Sequence, residues 1–418
     1  MTPRGWALCT LGVLVVALIV LAAVLIPWHR PPAPRADQVA ALGQLPRDQV
    51  ARARAFHSEL RPGSYGAMAI GLGGALVLGL TPLGSRIVAL AGRPFGDNWI
   101  AQAVLGGLAV VLVAEVVTLP FAAWRHTIAV RYGISTQSWG GWTADLLKAL
   151  AVGAVIGGLA LLGFYTVVRF LPRWWWAPGA IGAATLVVLL SFVLPVIVEP
   201  IFNKFTPMPD SPLRTELIEM ARRDAVPVRD VLVADASRRT RAVNAYVSGF
   251  GPTRRIVVYD TMLSEAPSGE VVSVVAHELG HAKHNDVLAS TVIGAVGTAA
   301  AVIALYLLGA WTGLLRLAGV TAISETRAIG LLIAVTTVAG LIAGPAQAFV
   351  SRRIEARADA HALALTGDPG TFESMQWRLG SVNLSDPDPP SWEHVLFASH
   401  PSTVERMAAA RAYARGER

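Results

Sequence analysis

Seven stretches of this chain are each long and apolar enough to cross a bilayer, and that leaves few folds open. They run from Trp6 to Trp28 and over about 65–92, 99–124, 147–168, 175–198, 287–315 and 328–350. Each reaches or approaches the roughly 20 residues a helix needs to span hydrocarbon. Backbone polar groups in lipid must be satisfied within the segment, so such runs are read as helices. Composition agrees: 54% of residues are hydrophobic and only 15% charged, too little charge for a surface facing water all round. The chain is thus expected to be mainly α, a multi-pass membrane protein.

The first run is bracketed by Arg4 and by His29 and Arg30. It is longer than a signal-peptide core and is closed by no A-x-A site, so it is expected to be retained as a helix. Residues 29–64, rich in Pro and Arg, read as a polar loop with one short helix. Gly71, Gly73, Gly74 and Gly79 in the second run would allow close helix packing. Trp174, Trp175 and Trp176 read as an interfacial belt, and Glu115 is the one ionisable group inside the third run, facing a cavity or a partner. Seven spans put the termini on opposite sides. With the N-terminus outside, the arginine-rich segment 29–64, the 125–146 loop and the large 199–286 segment all fall in the cytoplasm, as the positive-inside rule prefers. Arg86, Arg93, Arg169, Arg173, Arg316 and Arg327 on the other face run against it. The net charge of +7 suits loops beside anionic lipid, with no basic helix of the nucleic-acid-binding kind. The single cysteine, Cys9, excludes an intramolecular disulfide.

The polar segments are expected to be structured. Leu213 to Asp224 reads as an amphipathic helix capped by Asp210 or Ser211. Val231–Ala234, Ala242–Ser248 and Arg255–Tyr259 read as short strands, the last two joined through Gly249-Phe250-Gly251-Pro252. The chain then divides into 1–198 (five spans with loops), 199–286 (a soluble segment), 287–350 (two more spans) and 351–418 (a soluble tail).

The soluble segment ends in VVSVVAHELGHAKHND. His277 and His281 stand four residues apart, so on a helix both imidazoles leave one face at the spacing of two ligands to one Zn²⁺. Glu278 falls beside them, where a metal-activated water would sit. A catalytic zinc takes a third protein ligand, and Glu355 in Ser351-Arg352-Arg353-Ile354-Glu355 is the best candidate. Asp359, one turn on, could orient a ligand histidine. One helix enters the membrane just after His281 and the other leaves it just before Glu355, so adjacent antiparallel sixth and seventh spans would bring both to the same membrane face. His284 reads as surface or outer support, and Asp286 as merely the end of the polar segment.

In this order, Glu199-Pro200-Ile201-Phe202-Asn203, Asn244-Ala245-Tyr246, Arg255 to Thr261, the H-E-L-G-H helix, S-R-x-x-E-x-x-x-D and Ser399-His400-Pro401 resemble the type-1 CAAX prenyl protease family of integral-membrane zinc metallopeptidases. The likeness covers about residues 195–410, and the arginine- and alanine-rich composition is similar to that of a bacterial member. It implies a chamber enclosed by the spans and a small α+β, gluzincin-like domain at the cytoplasmic face. One Zn²⁺ per chain would be held by His277, His281 and Glu355, with Glu278 as general base and Asp359 as support. His400 would donate to the oxyanion, or simply lead into the S-x-x-E capping box of Ser402 and Glu405. Asn244 would lie on a strand that binds a substrate backbone, or merely beside a turn, and Arg406 would touch substrate or face water. The partners implied are a peptide or membrane-protein substrate and the lipid bilayer. The arginine-rich Ser237–Val243 departs from the Ser/His-rich stretch of eukaryotic members, so prenyl specificity does not follow. A heat-shock-type quality-control protease, and a non-enzymatic scaffold with a structural zinc, are the rival readings.

Overall fold

A computed structural model describes residues 2–28 and 32–417; His29 and Arg30, expected to flank the first span, lie outside the described residues. Among these, seven helices are long and apolar enough to cross a membrane: Pro3–Leu25, Arg47–Leu80, Trp99–Arg131, Trp139–Phe170, Trp176–Phe202, Asp286–Leu308 and Thr326–Thr366. They are named spans 1 to 7.

Span 2 is shifted from its expected place. Residues 47–64 are not a loop but the first half of its 34-residue helix. The Arg, Gln and Glu that make this stretch polar are, like its alanines, good helix formers, and they carry the helix out of the membrane. The helix stops at Thr81, whose hydroxyl caps a separate short helix, Pro82–Gly92, because Pro82 cannot supply the N–H that continuation requires. Span 7 overshoots at its other end. Its 41 residues extend about 60 Å at 1.5 Å per residue, roughly twice the hydrocarbon thickness. The last turns therefore stand clear of the membrane as a rod bearing Glu355 and Asp359.

Spans 2 and 7 pack backbone to backbone. A Cβ added at Gly79 would meet Ala334 Cβ at 2.3 Å, and one at Gly330 would meet the Leu78 carbonyl oxygen at 2.4 Å. Of the glycines expected to permit close packing, Gly73 and Gly74 have no neighbour within that reach. Span 6 packs on spans 5 and 1, and span 7 on spans 2 and 3. The expected side-by-side pairing of spans 6 and 7 is therefore not what joins the two motifs. The H-E-x-x-H helix does so itself, by lying directly against the protruding end of span 7. Of the three consecutive tryptophans only Trp174 is exposed; Trp175 and Trp176 are buried against Ile303 and Leu315 in an interhelical core. Glu115 is exposed on span 3.

The soluble part holds a four-stranded sheet ordered β1 (Phe205–Pro207), β2 (Asp230–Ala234), β4 (Arg255–Tyr259) and β3 (Ala245–Ser248). β2 and β4 run parallel, and β3 is antiparallel to β4, with Ala245 opposite Val258 and Ser248 opposite Arg255. The β3–β4 hairpin arises at the expected glycine-rich connection, and β3 is a free edge. One sheet face, through Val231, Ala245, Ile256 and Val258, packs on Val271, Val275 and Leu279 of the helix Ser268–Lys283. Pro212–Arg223, capped by Ser211, covers the same core. The tail adds helices Pro369–Val382, Ser391–Phe397 and Thr403–Ala414.

Candidate metallopeptidase site

The apolar stripe of Ser268–Lys283 is buried in the sheet core, which turns the opposite face, with His277 and His281, toward span 7. Three donor groups converge there. His277 Nε2 lies 3.1 Å from His281 Nε2 and 3.3 Å from Glu355 Oε2, and His281 Nε2 lies 3.4 Å from Glu355 Oε1. A tetrahedral Zn²⁺ with bonds of 2.0–2.1 Å would separate its ligand atoms by about 3.3 Å.

The outer nitrogens decide what those inner atoms are. His277 Nδ1 is 2.8 Å from Asp359 Oδ1, and His281 Nδ1 is 2.8 Å from Asp286 Oδ2. An ionised carboxylate can only accept, which assigns Nδ1–H to both rings and leaves Nε2 as the atom each ring offers inward. The two inner nitrogens and the Glu355 carboxylate thus face one another across a space that a cation or a proton must fill. Glu355 Oε2 is accordingly buried with no hydrogen-bond partner. This donor set fits a divalent transition-metal cation.

Without a cation, protons take its place. Burial opposes charge on His281, but the hydrogen bonds to Asp286 and Glu355 outweigh it and raise its pKa to about 10. Glu278 lies with the two histidines, the ligand atoms of all three within 4.8 Å of one another. Burial pushes its carboxyl above the usual range, while the histidines and a hydrogen bond from the Val247 backbone pull the other way. Val247 belongs to β3, so the free sheet edge borders the site.

Asp286 was expected only to close the polar segment, and this is corrected: it is buried, bonds His281 and pairs with Arg357. It gets there through Asn285, whose left-handed backbone (φ 54°) breaks the helix and aims the first residue of span 6 back at the site. Arg406, expected to touch substrate or face water, is held by Asp359. Its Nε and Nη2 donate to Asp359 at 2.9 and 2.5 Å from a largely buried position. A carboxylate bound by both an arginine and a ring N–H has its orientation fixed. Of the other expected residues, His400 sits with Nε2 3.5 Å from Glu355 Oε1, exposed to the cleft. The Ser402–Glu405 capping box forms as well, so that box and the approach of His400 to the site coexist. Asn244 is exposed just before β3, its carbonyl accepting from the Tyr259 N–H. His284 is on the surface, edge-on to His361, which bonds Asp224. Arg352, one turn before Glu355, donates to the carbonyls of His394 and Ala398 and so anchors the segment leading to His400. Its position in S-R-x-x-E was the only sequence signal for it.

Comparison with known proteins agrees with this geometry. The profile of peptidase family M48 matches residues 207–414, and that of the CAAX prenyl protease N-terminal region with five membrane helices matches residues 68–204. A CAAX prenyl protease 1 homolog of Oryza sativa is 30% identical over 72% of this chain and 71% of its own length. An uncharacterized metalloprotease of Bacillus subtilis, YhfN, is 29% identical over 71% and 70%. The crystal structure of S. mikatae Ste24p superposes with a TM-score of 0.79 over 98% of both chains at 21% identity. That likeness gives the fold, a membrane-helix chamber with a small sheet domain. The chain belongs to the type-1 CAAX prenyl protease family of M48 peptidases and is an integral-membrane metalloprotease.

Proposed function

We propose that the metal is one Zn²⁺ per chain held by His277, His281 and Glu355, and that the protein cleaves membrane-associated polypeptides at the cytoplasmic face. The observation that carries this reading is the convergence of the Glu355 carboxylate with two imidazoles whose outer nitrogens are held by Asp359 and Asp286. When bound, zinc would acidify a water and polarise the scissile carbonyl. Glu278 takes the proton of the attacking water and returns it to the leaving amine; its raised basicity suits both tasks. His400 donates from Nε2 to the carbonyl oxygen as negative charge develops. The substrate lies extended along the free edge of β3, entering past Asn244, where backbone pairing supplies affinity without side-chain selection. Arg406 acts indirectly, by holding Asp359.

An N-terminus outside and a cytoplasmic site are supported by Arg52, Arg54 and Arg61 on the protruding half of span 2. Glu278→Gln tests the chemistry: the variant should retain its metal and lose at least 100-fold in peptide cleavage. Full cleavage by it would remove Glu278 from the reaction, and metal loss would move it among the ligands.

A further inference from the structure

The membrane face opposite the site carries Arg4, Arg86, Arg93, Arg169, Arg173, Arg316 and Arg327 against only Asp97 and Glu325. External loops ordinarily avoid such an excess of arginine, so these side chains need an account that the peptidase chemistry does not supply. Two of them have a local one: Arg327 pairs with Glu325 at 2.6 Å, and Arg169 stacks over Trp99 at 5.6 Å. Arg4 and Arg173 have no carboxylate partner among the described residues, and both line one cavity of about 580 Å³. It lies between the start of span 1, the span 4–5 connection and the span 6–7 connection. Trp174, Trp175, Tyr306 and Ser324 complete its wall. The wall is firmly set: Tyr306 donates to the Arg173 carbonyl at 3.2 Å, and Trp175 packs edge-on to Tyr306 at 5.3 Å. Trp174 remains exposed at the rim, at the depth where indoles mark the headgroup layer.

We infer that this cavity binds the phosphate headgroup of an anionic phospholipid between Arg4 and Arg173. Two guanidinium groups without internal counter-charges offer forked donors that match phosphate oxygens. The aromatic rim would lie along the glycerol and upper acyl region, which favours a lipid over a free anion. The site is remote from the metal centre and stands or falls independently of it.

Native mass spectrometry of the detergent-solubilised full chain tests this, with phosphatidylglycerol against phosphatidylcholine. Wild type should retain phosphatidylglycerol selectively. Arg4→Gln/Arg173→Gln should lose roughly tenfold in retention, whereas Arg4→Lys/Arg173→Lys, which keeps the charge but not the fork, should lose less. An unchanged unfolding midpoint in phosphatidylcholine micelles would show that the glutamine variant is folded. Equal phosphatidylglycerol retention in the glutamine variant, or equal retention of phosphatidylcholine by wild type, would overturn the site. Stabilisation of wild type by inorganic phosphate as large as that by phosphatidylglycerol would overturn the lipid and leave a free-anion site.

Discussion

Asp286→Asn isolates the support that the second histidine receives. The substitution keeps the shape of the side chain but removes the charge that accepts from His281 Nδ1 at 2.8 Å. It also leaves Arg357 without its carboxylate. A neutral amide accepts more weakly and can turn its NH₂ toward the ring, so His281 loses both basicity at Nε2 and a fixed plane. Loss of such a partner costs about 10–100-fold in metal affinity, or roughly 1.4–2.7 kcal/mol. The assay is zinc competition against a chelator of known affinity at constant pH, on protein whose secondary structure matches wild type. Asp230→Asn serves as control, because it begins β2 and pairs with Arg214 of the helix Pro212–Arg223, neither of them a partner of the metal-site residues. Wild-type affinity in Asp286→Asn would refute the assignment of Nδ1–H and with it the argument that both Nε2 lone pairs point inward.

Further outcomes follow from the same geometry. Arg406→Ala strands Asp359 in a buried position and should destabilise the protein by about 3–5 kcal/mol, read as a lowered unfolding midpoint; a change in KM alone would indicate a substrate contact instead. Gly330→Leu forces a side chain into the Leu78 carbonyl and should cost about 1–3 kcal/mol or more, whereas Gly73→Leu, facing open space, should be tolerated. Because His281 without metal is protonated up to about pH 10, zinc binding must displace that proton. Apparent affinity should therefore fall at least tenfold for each pH unit lost between pH 8 and 6; a flat profile would contradict it. For the metal-free protein the sign is reversed: the His281–Asp286 pair contributes fully below the unfolded value near 6.5 and its contribution is lost as pH rises through about 10.

The parts of the fold that repeat along one helix were legible in the sequence. Histidines four apart and Glu355 with Asp359 one turn on share a face whatever surrounds them, and long apolar runs have one solution in lipid. What depended on contacts between elements was not. Asp286 supports His281 only because Asn285 takes a left-handed conformation, and no local pattern announces that turn. Arg406 lies on a helix whose arginines would by default face water; burial against Asp359 comes from how the tail docks. Span 2 was misplaced because arginine reads as solvent-exposed loop and as good helix former alike. The motifs do meet at one face, but through the H-E-x-x-H helix reaching span 7 and not through paired spans.

The most direct test of the account is metal content in purified wild type, His277→Ala and Glu355→Ala. One zinc per chain in wild type, with retention weakened at least 100-fold in both variants, is the predicted result. Full retention in Glu355→Ala would contradict it, because the lone pairs of His277 and His281 would then be satisfied without span 7.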